Sequence, residues 1–166
     1  MNIVIATVND MEAFYKTFSQ VLEVDFSEYS KNTIEFFLKR DYSMNNVKSG
    51  IENKRFKLFL AKKDQDIVGF LLSSRVYGGI GFCNWIGVIP SHRGKGIGSA
   101  LIEEWEKSAK DEGAHKTHLQ TSGKNIDFYK KRGYVLVGTI PDNYFGATDY
   151  IFYKVLQTPK ESNFLK

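Results

Sequence analysis

Val88-Ile89-Pro90-Ser91-His92-Arg93-Gly94-Lys95-Gly96-Ile97-Gly98-Ser99-Ala100-Leu101 runs from the end of a strand through a glycine-rich turn straight into an amphipathic helix. Glycines at 94, 96 and 98 permit a backbone path that side chains would obstruct, with N–H groups turned toward one centre. The helix adds its own unpaired N–H groups and the positive end of its dipole. Such a turn suits a phosphate, and Arg93 and Lys95 add positive charge. Its spacing excludes two common nucleotide motifs. Counted from Gly94, a G-x-G-x-x-G pattern would end on Ser99; counted from Gly96, it would end on Leu101. No Gly-Lys-Ser/Thr string of the P-loop kind occurs either.

Upstream of this turn, residues 2–8 are rich in β-branched side chains and read as a strand. Asn9 with Glu12 resembles a capping-box helix start, and Met11, Phe14, Phe18, Val21 and Leu22 recur at helical spacing over 10–22. A second helix fits about 31–45, with Ile34, Phe37, Leu38 and Tyr42 on one face. Strands over 55–62, 67–77 and 82–89 follow, turning at Lys63-Asp64-Gln65-Asp66 and at Gly78-Gly79-Ile80-Gly81. Downstream, Ile97, Ala100, Leu101, Trp105 and Ala109 form one helical stripe that Gly113 closes. A strand over 115–121, a short helix over 125–132 ended by Gly133, and strands over 134–140 and 149–156 complete the pattern. Residues 157–166 read as a frayed tail.

The order is β-α-α-β-β-β-α-β-α-β-β, an α/β fold of the α+β type with a mixed, largely antiparallel central sheet flanked by helices. The central meander argues against a doubly wound parallel sheet. Residues 1–156 are expected to form a single domain and 157–166 a C-terminal tail. A hydrophobic content of 42% with 13 Phe and 9 Tyr supplies a real core. Cys83, a lone cysteine, cannot form an internal disulfide, which points to a reducing compartment. The first residues carry no signal-peptide pattern and no apolar run approaches the roughly 20 residues that span a bilayer, so a cytoplasmic location and no membrane partner are expected. The net charge of +4 decides nothing alone. The basic residues are scattered without an aromatic platform, so no nucleic-acid partner is expected.

The string Arg93-x-x-Gly96-x-Gly98 resembles the pyrophosphate-binding motif of the GNAT superfamily of acetyl-CoA-dependent N-acetyltransferases, [Arg/Gln]-x-x-Gly-x-[Gly/Ala]. Val88-x-Pro90 and Ser99-Ala100-Leu101 match its usual flanks. Asn125-Ile126-Asp127-Phe128-Tyr129-Lys130-Lys131-Arg132-Gly133-Tyr134 resembles the family's second recurring motif, about thirty residues on. The likeness spans about 55–156 in element order, with residues 1–50 corresponding to the family's variable part. It implies acetyl-CoA as cosubstrate, no metal, and a cofactor site drawing on Arg93, Gly94, Lys95, Gly96, Ile97, Gly98 and Ser99. Asn125 would hydrogen-bond the pantetheine arm, and Tyr129 would donate a proton to the departing thiolate. Main-chain groups of Ile86 and Val88 would pair with the pantetheine amides by strand addition. Relatives are often dimers, so a homodimer is one expectation.

Elementary chemistry supports Tyr129 independently. A phenol of pKa near 10 stays protonated at neutral pH, where a thiol of pKa near 8.5 is the stronger acid. Such a phenol can donate a hydrogen bond or a proton as sulfur gains charge. Gly87 reads either as a splay that opens the strand or as a glycine tolerated for packing. Between Asp66 and Glu103 there is no Asp or Glu at all, which suits a polyanionic ligand. The same gap removes the acidic residue that many relatives use as general base on the middle strand. Asn84 could only orient a water there, so Glu28, Glu35, Asp142, Asp149 or a water chain must serve. Cys83 reads as buried and inert, and His92, His115 and His118 as surface or loop residues without metal-ligand spacing. Lys130-Lys131-Arg132 reads as a solvated face or a contact to the 3′-phosphate.

The acceptor would be an amine, on a small molecule or a protein. Tyr29, Tyr42, Tyr144 and Phe145 could wall its site, and Glu23, Asp25, Glu28 and Glu35 could attract a cation or form an ordinary acidic surface. The rival reading is a catalytically silent acyl-CoA-binding sensor or scaffold on the same fold.

Overall fold

The computed structural model describes residues 1–165, the side chain of Phe164 apart. Seven strands among them form one mixed, mostly antiparallel sheet flanked by helices: β1 (Asn2–Ile5), β2 (Phe56–Lys63), β3 (Asp66–Ser74), β4 (Ile80–Val88), β5 (Lys116–Thr121), β6 (Val135–Ile140) and β7 (Asp149–Val155). Their order is β1-β2-β3-β4-β5-β7-β6, and a mixed, largely antiparallel sheet flanked by helices is what the sequence led us to expect. β4 and β5 are parallel, whereas β1–β2, β5–β7 and β6–β7 are antiparallel.

The chain folds as two compact units. The first comprises Met1–Ser73 with Trp85–Trp105. Helix α1 (Met11–Asp25) buries the stripe expected of it: Phe14, Phe18, Val21 and Leu22 are all inaccessible to solvent. Its start differs from the expected Asn9–Glu12 box. A single 3-10 turn, Val8–Asp10, precedes it, and the Thr7 backbone N–H and hydroxyl both donate to the Asp10 carboxylate, at 2.8 and 3.0 Å. Thr7 and Asp10 have the same spacing as Asn9 and Glu12, so the box sits two positions earlier.

The expected helix over 31–45 breaks into parts. Helix α2 (Lys31–Phe36) begins at Ser30, whose hydroxyl accepts the Thr33 N–H at 3.2 Å. It widens into a π-helical turn, Phe37–Asp41, closed by Tyr42 N–H donating to the Phe37 carbonyl at 2.8 Å. Ser43 then caps a further helix, α3 (Met44–Glu52), that the sequence order lacks. The wider turn brings Phe37 and Tyr42 onto Trp85, with ring centroids 5.4 and 5.3 Å away. Phe18 and Phe26 approach the same indole at 5.9 and 5.1 Å, so an aromatic cluster is the heart of this unit.

The second unit comprises residues 74–84 and 106 onward. Gly78 and Gly79 both take positive φ, and Tyr77 and Ile80 exchange backbone hydrogen bonds across them. Helix α4 (Ile97–Asp111) runs from the first unit into the second and stops at Gly113, φ +96, as its glycine predicted. Helix α5 (Ile126–Lys130) ends likewise at Gly133, φ +81. Within the expected tail, Glu161–Phe164 forms a short helix, α6. A Cβ on Gly113 would stand 2.5 Å from the Asn163 carbonyl oxygen, so the helix rests on a glycine that has no side chain to displace it.

Candidate functional site

In the first unit, the glycine-rich turn links β4 to α4 as its sequence suggested. Gly94 and Gly96 take φ of +73° and +79°, a region L side chains avoid, and nothing lies within 4 Å of a Cβ built on either. The two glycines are therefore needed for backbone path and leave open space over the turn. Gly98 differs, because it lies within α4 and its φ is not positive. Ile97 is buried, its side chain against Gly69, so only its main chain is left for a ligand. Ser99 is half-buried in the same first turn of α4.

Both cations of the turn are held by the chain. The Arg93 Nε donates to the Val88 carbonyl at 3.0 Å, and its guanidinium forms an ion pair with Asp25 at the end of α1. Lys95 Nζ donates to the Ser91 carbonyl at 3.1 Å. Arg93 thus ties the end of β4 and the end of α1 to the turn, a geometric role besides its charge.

Ile86 and Val88 are half-buried on one face of β4. The β4–β5 register runs from Ile80↔Lys116 to Cys83↔Leu119, and both residues come after its last pair. Gly87, between them, is explained by packing. A Cβ there would stand 2.5 Å from Val21 Cγ1 and 3.0 Å from two carbons of the Phe70 ring.

In the second unit, Asn125 ends a 3-10 turn, Gly123–Asn125, and caps α5. Its Nδ2 donates to Thr121 Oγ1 at 3.0 Å, and the same Thr121 side chain hydrogen-bonds Tyr129. One hydroxyl at the end of β5 therefore joins both residues of the second motif. Thr121 is a residue sequence reasoning missed, since nothing in its neighbours marks its hydroxyl as a shared partner. Next to it the Ser122 hydroxyl is buried with no hydrogen-bond partner among the described residues, a place where a polar ligand group would be favoured.

Tyr129 is buried, with Phe128, Tyr134 and Phe152 ring centroids 5.1, 5.6 and 5.7 Å away. Burial raises its phenol well above its ordinary pKa, and the nearby Cys83 adds to the rise. The Thr121 hydrogen bond and Arg132 pull in the opposite direction. Cys83 is itself buried and pushed up to about 12 by desolvation, so it is a thiol and not a thiolate at neutral pH.

The remaining candidates divide. Glu35 is exposed and paired with Lys39, which holds its carboxyl below the usual range, and Asp25 is taken by Arg93. Asp25 and Glu35, considered for attracting a cationic acceptor, are thus engaged inside the chain. Tyr29 and Tyr42 pack against the aromatic core, whereas Tyr144 and Phe145 are 63% and 50% exposed. Asp142 is exposed at positive φ, and Asp149 is buried, accepting from Asn143 Nδ2 at 2.8 Å. Asn84 accepts from the Ser74 hydroxyl at 2.8 Å. His118 corrects the surface-or-loop reading: it lies in β5, half-buried, with burial and then the charges of Lys116 and His115 lowering its pKa. Arg132 is likewise not merely solvated, because its guanidinium carbon lies 3.5 Å from the Phe128 ring centroid. Among the described residues no group of three or more His, Cys, Asp or Glu side chains could hold a metal, and no helix is long and apolar enough to cross a membrane.

The mixed seven-stranded sheet, the phosphate-suited turn and the Asn-Tyr helix define an acetyl-CoA-dependent acyltransferase. Residues 12–134 match the Acetyltransferase (GNAT) family, and the chain belongs to it. It is similar to the aminoalkylphosphonate N-acetyltransferase of Salmonella typhimurium, 29% identical over 139 residues, 78% of this chain and 81% of that protein. Among solved structures it resembles the paia N-acetyltransferase of Thermoplasma acidophilum in complex with coenzyme A. That match has a TM-score of 0.76 and 22% identity, over 93% of this chain and 99% of that one. The ribosomal-protein-S18-alanine N-acetyltransferase of Escherichia coli matches with a TM-score of 0.73 and 17% identity, over 96% of each chain. At these identities the structural matches speak for the fold.

Proposed function

We propose that the protein transfers the acetyl group of acetyl-CoA to a primary amine by direct attack in a ternary complex, with Tyr129 as general acid to the coenzyme A thiolate. Residues 1–156 act as the catalytic domain, in the cytoplasm. The acceptor is an amine on a small molecule or a protein, the two kinds named for its relatives. Main-chain groups of Ile86 and Val88 receive the pantetheine arm, Asn125 hydrogen-bonds it, and the turn from Arg93 to Ser99 receives the pyrophosphate. The left-handed Gly94 and Gly96 with open space above them fit that ligand.

The observation that carries the reading is the buried, hydrogen-bonded phenol of Tyr129. The cosubstrate supplies a thioester carbonyl. The chain's task is to hold that carbonyl beside the amine and to offer a proton where sulfur gains charge. Against a free thiol of pKa near 8.5, a phenol of at least 10 gives up its proton at a cost of roughly 2 kcal/mol. Burial raises the phenol and would raise a thiol beside it as well, as Cys83, pushed to about 12, illustrates in the same unit, so burial alone does not reverse the order of the two acids. Tyr129 therefore stabilises the developing thiolate first as a hydrogen-bond donor and completes the transfer as the C–S bond breaks. Cys83, buried as a thiol, is unsuited to an acetyl-enzyme route, which supports direct attack.

A panel of primary amines assayed for acetyl-CoA-dependent thiol release tests this. Wild type should turn over at least one amine, with intersecting initial-velocity lines when both substrates are varied. Tyr129→Phe should lower kcat by about a hundredfold while acetyl-CoA still binds. No turnover on any amine, parallel lines, or a Tyr129→Phe variant at wild-type kcat would each overturn the reading.

A further inference from the structure

We propose that Thr121 is a positioning residue for the transfer step, orienting the Tyr129 hydroxyl so that its proton points away from the protein and toward the departing sulfur. The proposal rests on the general-acid reading of Tyr129.

A threonine hydroxyl has one proton to donate and two lone pairs. Asn125 Nδ2, a donor, occupies one of those lone pairs at 3.0 Å. The Thr121 side chain also hydrogen-bonds Tyr129, and in the proposed arrangement its one proton is directed to the Tyr129 oxygen. With one lone pair receiving that bond, the phenol's own O–H faces elsewhere and is available to a ligand. Three features fix the geometry. Thr121 is 9% exposed, its backbone is registered against Tyr150 of β7, and a β-branched side chain has few χ1 rotamers. In that arrangement Asn125, Thr121 and Tyr129 form a directed chain of donors.

The step balances simply. The Tyr129 O–H bond breaks as an S–H bond forms on the leaving thiolate, and the electron pair of the O–H bond stays on the phenolate oxygen. The Thr121 O–H bond remains intact throughout and shortens its hydrogen bond to that oxygen. The phenolate then regains a proton from water.

Thr121→Val keeps the shape and removes the hydroxyl, whereas Thr121→Ser keeps the hydroxyl. With an amine accepted by the full chain, Thr121→Val should lower kcat about tenfold with little change in the acceptor KM. Thr121→Ser should stay within about twofold of wild type. Introduced into Tyr129→Phe, Thr121→Val should lower kcat no further, because the group it orients is gone. A Thr121→Val variant at wild-type kcat would overturn the proposal, as would a full additional tenfold loss in the Tyr129→Phe background, which marks a purely structural role. So would failure of serine to restore activity in a protein whose melting temperature matches wild type. A Tyr129→Phe variant as active as wild type would instead remove the acid role itself, and the Thr121 role with it.

Discussion

Gly87 separates the two β4 residues proposed to receive the pantetheine arm, and replacing it with alanine tests why a glycine stands there. The new Cβ would lie 2.5 Å from Val21 Cγ1 and 3.0 Å from Phe70 Cε1 and Cζ, against ordinary carbon contacts of about 3.5–4.0 Å. Neither neighbour has room to yield. Val21 and Phe70 are both inaccessible, and Phe70 meets Phe14 and Phe18 edge-on at 5.4 Å. Overpacking of this kind costs about 1–3 kcal/mol, less up to about 1 kcal/mol because alanine narrows the unfolded ensemble. For a chain of this length the net loss lowers Tm by roughly 3–8 °C in a calorimetric melt. Val21→Ala alone removes two buried methyl groups and destabilises by about 2 kcal/mol. The double variant decides between causes. If the clash with Val21 is the main reason for glycine, Gly87→Ala in the Val21→Ala background should cost clearly less, the Phe70 contacts accounting for what is left, giving a coupling of at least about 1 kcal/mol. Strictly additive losses would show that glycine serves backbone freedom in the strand, and a Gly87→Ala variant melting like wild type would refute the packing argument altogether.

Gly96→Ala places a side chain at φ +79° in open space, so it should lose about 1–2 kcal/mol by conformation alone while raising the acetyl-CoA KM at least about tenfold. A thermal shift with unchanged KM would detach the turn from the cofactor. Arg93→Ala breaks a partly exposed ion pair and should change stability by less than about 1 kcal/mol, yet raise the acetyl-CoA KM several-fold in steady-state assays. Burial pushes Cys83 up to about 12 from an ordinary value of 9.0, so its contribution is complete below that lower value and declines as pH rises toward 12. Denaturant titrations should therefore show wild type losing about 1–2 kcal/mol more than Cys83→Ala between pH 8 and pH 10.

The parts legible in the sequence are those whose signal is local. Arg93 to Gly98 and Asn125 to Gly133 carry their turns, caps and glycines within a few residues, and Gly113 and Gly133 end helices with the positive φ their positions implied. Helix α3 was not legible, because Asn45, Asn46 and Gly50 weaken a helical pattern. Gly50 is there for a distant reason: a Cβ would stand 2.3 Å from the Phe56 ring. Likewise Gly87 answers to Val21 in another element, and the Thr121 hydroxyl gains its meaning only when α5 folds back over the end of β5. What sequence reasoning lacked in each case was the partner, not the residue.

The carboxylate-free stretch between Asp66 and Glu103 acquires a sharper meaning from Asn84. Its Oδ1 already accepts the Ser74 hydroxyl at 2.8 Å, which turns the Nδ2 donors of the amide toward whatever else approaches. The middle strand thus offers hydrogen-bond donation where a base would need to accept. Donors suit a carbonyl oxygen and the phosphates of the cosubstrate, and they disfavour a protonated amine. On the proposed mechanism the acceptor would lose its proton before or outside contact with the Asn84 side chain. Of the carboxylates weighed for that task, Glu35 is locked to Lys39 and held in its ionised form at the surface, a poor base. On the proposed mechanism the acid side carries the catalysis, with Asn125, Thr121 and Tyr129 linked by hydrogen bonds, and the rate should rise with pH as the free amine becomes abundant until the acceptor's own pKa is passed.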